Sequence, residues 1–148
     1  MFASGVGAVI TRNATVSGAE GGCQAECGSA AAMSAAALVT LAKGTPAQVG
    51  EAISITLMNC LGLVCDPIAG LVQIPCSFRN ASQAMNDVLS ADLALAGHKA
   101  VITPDEAIDS MYRVGRMLPP QLRETSQGGV AVTSIAAEIN RNIDVLKE

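Results

Sequence analysis

Two tetrapeptides do most to limit the folds open to this chain. Thr45-Pro46-Ala47-Gln48 and Thr103-Pro104-Asp105-Glu106 each place a threonine three residues ahead of a Gln or Glu, with proline at what would be the first helical position. Such a pair satisfies orphaned amides at a helix start reciprocally, and proline lacks the N–H that a first turn leaves unpaired. Two helix starts are therefore written into the chain. The first carries Val49, Ile53, Leu57 and Cys60 on one stripe, and the second runs through Ile108, Met111 and Tyr112 to about Met117 before Pro119-Pro120 stops it.

The remaining segments fit around these helices. Ser29 to Lys43 is nearly all helix formers with a basic last turn, and Gly44 stands where a helix end favours a left-handed residue. Asn80 to Ala96 spaces Ala84, Val88, Ala91 and Leu95 for burial, with Gly97 as terminator, and Thr133 to Leu146 closes as a last helix. Met1 to Gly28, rich in Gly and Ala and without a helical stripe, reads as a functional loop. Leu61 to Ser77, broken by Gly62, Pro67, Gly70 and Pro75, reads as a structured loop, and Arg123 to Gly129 as another. The β-branched stretch Val130 to Ile135 leaves room for a short strand. The expected fold class is all-α with long Gly/Pro-containing loops.

Composition bears on partners and compartment. The 148 residues suit one domain or part of one. Half are apolar but only 2% aromatic and 15% charged, and the mean hydropathy is +0.40. Such a chain is short of polar surface, so a large interface with another chain or with a further part of the same protein is expected. A net charge of −4 without a basic cluster argues against nucleic acid as a partner. Leu57 to Ile74, the most apolar run, is interrupted by Asp66, Pro67 and Gln73, so no membrane span is expected. Met1 to Asn13 lacks the layout of a secretory signal, which points to the cytoplasm. Five reduced cysteines there favour metal or cluster binding over disulfides.

Those cysteines are Cys23, Cys27, Cys65, Cys76 and Cys60. Their spacing matches neither paired Cys-x-x-Cys motifs nor the compact ferredoxin run, and burial as small apolar side chains is the competing reading for each. Context favours three of them: Cys23 follows Gly21-Gly22, Cys65 precedes Asp66-Pro67, and Cys76 follows Pro75. Thiolates on such turns are where clusters are held.

The strings Asn13-Ala14-Thr15-Val16-Ser17-Gly18-Ala19-Glu20-Gly21-Gly22-Cys23-Gln24-Ala25-Glu26, Leu61-Gly62-Leu63-Val64-Cys65-Asp66-Pro67, Gly70-Leu71-Val72-Gln73-Ile74-Pro75-Cys76 and Glu124-Thr125-Ser126-Gln127-Gly128-Gly129 closely resemble the C-terminal half of the α chain of bacterial iron-sulfur L-serine dehydratases. The resemblance implies that residues 1–148 are a C-terminal portion of that catalytic domain, incomplete alone. It also implies elimination of water from L-serine to give pyruvate and ammonia, and a [4Fe-4S] cluster on Cys23, Cys65 and Cys76. Cys27 and Cys60 then become packing residues near the site. The implied partners are the remaining α-chain segment and a β chain or domain, in an oligomer. A fourth ligand from the tail, Leu146-Lys147-Glu148, is not expected, and no pyridoxal phosphate is implied, because Lys43, Lys99 and Lys147 all fit solvated positions.

Three thiolates suit this chemistry better than four, since an iron left open can act as a Lewis acid toward a substrate oxygen. The general base is less evident. His98, after Gly97 at a helix end, reads as a surface group, whereas Glu20, three residues before Cys23, is the candidate acid or base, with a hydrogen-bonding support role as its alternative. Asp66 reads as fixing the Cys65 loop. Thr125, Ser126 and the amides of Gly128 and Gly129 are candidates for binding the substrate carboxylate. Two rival classes remain, a non-catalytic interaction subunit and a structural zinc domain.

Overall fold

The structure, a computed structural model, describes residues 2–145, with side chains for residues 2–143. Among these it is all-helical, with α1 (Phe2–Asn13), α2 (Gly18–Gly21), α3 (Cys23–Leu41), α4 (Pro46–Cys60), α5 (Cys76–Leu95), α6 (Pro104–Met117) and α7 (Ser134–Val145). The expected all-α class holds. No helix among the described residues is long and apolar enough to cross a membrane.

The largest departure from expectation lies at residues 1–28, where the sequence predicts a loop. Instead α1 is a full helix, and α3 begins at Cys23 rather than Ser29. Gly5 and Gly7 disguise α1 by lowering its propensity, but Ile10 is wholly buried with Val6 and Ala14 packed around it. A Cβ on Gly7 would lie 2.8 Å from Met33 Sδ, so the Met33 side chain of α3 rests against the bare backbone of α1. Docking, not local preference, stabilises this helix.

Gly22, at φ 76°, is the pivot that separates α2 from α3. A side chain there would meet Leu118 Cδ1 at 2.7 Å and the Leu63 carbonyl oxygen at 2.8 Å. Immediately beyond it the fully buried Gln24 donates from Nε2 to the Met111 carbonyl (2.9 Å) and accepts from the Gly62 amide (2.8 Å). One side chain thus ties the start of α3 to α6 and to the loop after α4.

α3 is the central helix and packs against α1, α4 and α5. Its buried Ala32, Ala35 and Ala36 let neighbouring backbones come close, which explains a core with few large side chains. At its end, Lys43 takes the left-handed conformation expected of Gly44. Gly44 is needed for a different reason: a Cβ there would lie 2.5 Å from Val39 Cγ1.

Both capping boxes form as read. The Thr45 hydroxyl accepts from the Gln48 amide at 3.3 Å and the Thr45 amide donates to Gln48 Oε1 at 2.9 Å. Thr103 and Glu106 repeat the exchange at 3.3 and 3.0 Å. Gly97, at φ 91°, ends α5 as expected. α5 starts four residues earlier than read, directly after Pro75. The β-branched stretch after Gly129 makes a 3-10 turn, Gly129–Val132, because Gly129 turns the chain at φ 60°. The β-type pairing found is an isolated parallel bridge between Cys65 and Arg123.

Candidate functional site

Two of the three singled-out cysteines open helices: Cys23 is the first residue of α3 and Cys76 the first of α5. Helix starts present unpaired N–H groups and a positive dipole end, both of which favour a thiolate. Cys65 lies between them on an extended segment held from both sides. Its amide donates to the Leu122 carbonyl at 2.9 Å, and its carbonyl accepts from Glu124 N at 2.7 Å. Gln24 N donates to Leu63 O at 2.9 Å, pinning the start of α3 to the same segment. All five cysteines are buried and none is in a disulfide.

Cys23, Cys27 and Cys65 pack together beneath Leu63. Hydrogen bonds from the Cys27 and Cys65 thiols, aided by Arg79, push the Cys23 pKa down to about 3 against the cost of burial. Cys27 and Cys65 shift upward, first because each donates its proton toward Cys23 and then because each is buried. Burial raises Cys76, with the Cys23 charge as the next contribution. Cys60 belongs elsewhere: it sits in the main apolar core, donates to Leu57 O at 3.2 Å, and is pushed by burial up to about 11.

Asp66 joins these segments. It is 1% exposed, receives Arg79 Nη1 on Oδ1 at 2.5 Å, and receives Val130 N on Oδ2 at 2.7 Å. A Cβ on Gly129 would lie 2.7 Å from Asp66 Cγ, so this position must be glycine for the carboxylate to seat. Burial works against the Arg79 cation, yet Asp66 and then Cys23 hold its pKa above the ordinary value.

Two further carboxylates approach the thiols. A Cβ on Gly18 would lie 3.1 Å from Glu26 Oε2, 3.4 Å from Cys65 Sγ and 3.5 Å from Glu124 Oε2, so these groups crowd one bare stretch of backbone. Burial, then the Cys23 thiolate, then Glu124 raise the Glu26 pKa. A carboxyl so placed can hold or move a proton.

The other sequence candidates fall into place separately. Glu20 turns toward Thr15, whose hydroxyl donates to it at 2.5 Å. Thr125 donates to Pro120 O at 3.2 Å, and Ser126 donates to Pro67 O at 2.6 Å while accepting from Gly70 N at 3.1 Å, so both hydroxyls brace backbone. Thr125 and Ser126 also line a polar cavity of about 420 Å³ with Gly70, Glu124 and Asn140. Around it Ala69, Glu124 and Ser126 hold left-handed backbone, strain of the sort that collects at functional sites. His98 is exposed beyond the end of α5 far from Cys76, and Lys99 pairs with Glu51 at 3.3 Å. Lys147 and the tail 146–148 lie outside the described residues.

Sequence reading did not single out Arg79, Glu26 or Glu124. Helical spacing offered a signal for the first two: each follows a singled-out cysteine by three residues, which places it on the same helix face.

The donor set fits an iron-sulfur cluster. Soft, buried thiols come from three segments: Cys23 and Cys65 pack together with Cys27 on segments joined by the Gln24–Leu63 backbone bond, and the helix that Cys76 opens is tied to them by Arg79, whose cation lies beside Cys23. Among the described residues no group of three His, Cys, Asp or Glu side chains is arranged to hold a single metal ion. A four-iron cube makes a different demand, since it spreads its ligands over separate irons.

A family model described as serine dehydratase alpha chain matches residues 1–131. A probable L-serine dehydratase alpha chain of Bacillus subtilis is 54% identical over 144 residues, which is 97% of this chain and 48% of that protein. An L-serine dehydratase alpha chain of Peptoniphilus asaccharolyticus is 57% identical over 144 residues, 97% of this chain and 49% of that one. L-serine dehydratase 1 of Escherichia coli is 44% identical over 133 residues, covering 89% of this chain and 29% of that protein. The chain thus spans about half the length of the alpha chains it matches.

Proposed function

This chain belongs to the serine dehydratase alpha chain family, and from that premise we propose that it carries the cluster-binding half of an L-serine ammonia-lyase, converting L-serine to pyruvate and ammonia. In this reading Cys23, Cys65 and Cys76 hold a [4Fe-4S] cluster. When bound, the cluster supplies an open iron that serves as a Lewis acid toward a substrate oxygen. The observation that carries the proposal is the seating of buried thiols at the starts of α3 and α5 and on the segment between them.

The chain's own residues have three tasks. The start of α3, the Cys65 segment and α5 keep the thiols in place and dry. The Glu124 to Ser126 stretch lines the polar cavity, and in this reading the loop that continues to Gly128 and Gly129 offers their amides to the carboxylate end of the substrate. Of this chain's carboxylates, Glu26 is better placed than Glu20 to move a proton, since it lies with Cys65 beside the bare Gly18 backbone while Glu20 is taken up by Thr15. Loss of the α-proton and β-hydroxyl as water leaves an aminoacrylate, which becomes an imine and hydrolyses to pyruvate and ammonia. No Schiff-base lysine enters. The remaining alpha-chain segment and a β chain or domain complete the enzyme in the cytoplasm, and the active form is an oligomer.

Anaerobic reconstitution with iron and sulfide tests the assignment. The expected result is a brown protein with broad visible absorption and about four iron and four sulfide per chain. Colourless protein with stoichiometric zinc would replace the reading with a structural metal domain, and colourless, metal-free protein would replace it with an interaction subunit.

A further inference from the structure

We propose that Arg79 and Asp66 form a positioning pair that sets the charge felt at the cluster site, Arg79 presenting its guanidinium to Cys23 and Asp66 holding Arg79 there. The inference rests on the cluster assignment above but concerns residues that assignment does not use. Arg79 lies three residues beyond Cys76 on α5, so both project from one face. Its Nη1 reaches Val64 O at 2.7 Å, Asp66 Oδ1 at 2.5 Å and Cys23 Sγ at 3.9 Å. One nitrogen rooted on the helix that Cys76 opens therefore meets the residues on either side of Cys65, and Cys23 itself.

The pair is well shielded, with side-chain exposures of 17% for Arg79 and 2% for Asp66, so solvent screens its charges only in part. Asp66 cannot turn away: Val130 N occupies its second oxygen, and the bare Gly129 backbone closes over it. Net charge and hydrogen bonds to sulfur are among the levers that set a cluster's reduction potential. A cation held near a sulfur ligand favours the more negative, reduced state, and the carboxylate beside it moderates that effect.

The consequence separates tuning from mere support. Arg79→Gln removes the cation and is expected to lower the midpoint potential. Asp66→Asn leaves the cation unbalanced and is expected to raise it, while Arg79→Lys keeps the charge and stays near the wild-type value. The measurement is a mediated redox titration of the anaerobically reconstituted chain, followed by electron paramagnetic resonance, with iron and sulfide content determined in parallel. Wild-type chain without iron and sulfide would break the cluster assignment itself. With a cluster in the wild type, shifts of opposite sign support the pair, and unchanged potentials or shifts of one sign overturn it. Where Arg79→Gln or Asp66→Asn assembles no cluster, Arg79→Lys decides: a cluster of near wild-type potential supports the proposal, and its failure to assemble one, or a clearly displaced potential, overturns it.

Discussion

A ligand cysteine and a packing cysteine differ in what their loss leaves behind. Under the proposed assignment, exchanging Cys23, Cys65 or Cys76 for Ser would deprive an iron of its soft anionic donor, and each variant is expected to lose most of its iron and visible absorption after reconstitution. Cys60→Ala removes one buried sulfur from the apolar core and is expected to cost about 1 kcal/mol in denaturant unfolding while keeping the cluster. Cys27→Ala is expected to keep most of the cluster as well. Equal iron loss in all five variants would contradict this partition. Cys23, Cys65 and Cys76 stand out in the sequence because glycine and proline punctuate their segments. Asp66 was legible only as a loop brace, since its partners Arg79 and Val130 come from α5 and from the turn after Gly129. Helical spacing from Cys76 offers a signal for Arg79, and nothing local marks Val130. The sequence makes Cys27 a packing residue near the site, and in the structure it packs against Cys23 and Cys65.

At the scale of elements, what could be read was what the chain stabilises locally. α4 and α6 start where their capping boxes stand, because the signal and the interaction lie within the same four residues. α1 escaped detection because its stability resides in Ile10 and in Gly7 against Met33, contacts with a helix some 25 residues away that no local window contains. Thr103→Ala is expected to cost about 1 kcal/mol of stability without altering cluster content. The Glu106 carboxyl, exposed at the same cap, is held below its ordinary value of 4.5 by the Thr103 hydroxyl and then by its amide. A depressed carboxylate contributes stability above its unfolded pKa and loses it as the pH falls through the folded value. Melting temperatures of wild type and Glu106→Ala should therefore differ at neutral pH and converge in acid, once the pH has fallen through the lowered Glu106 value. A gap that persists undiminished at low pH would show that the cap does not depend on that charge.

For the whole molecule, hydropathy was the informative signal. Phe78 and Met85 stand on the outer side of α5 at 70% and 68% exposure, and Leu41, Val101 and Met117 are also uncovered. Exposed groups of this size, on a chain spanning about half the length of its alpha-chain relatives, lead us to expect association of the isolated chain and no turnover of L-serine until the rest of the enzyme is supplied. Sedimentation and a pyruvate assay check this, and a monodisperse, active monomer would refute it. Composition could announce that surface remains to be covered, but not by what, because apolar area carries no address. The most direct test of the central claim follows activity and visible absorbance together while the complete enzyme stands in air. An iron open to serine is also open to oxidants, so both signals should decline in parallel and return together with iron, sulfide and reductant, while the helical circular dichroism changes little. Dehydratase activity that survived complete bleaching would contradict the account and remove the assigned roles of Cys23, Cys65 and Cys76.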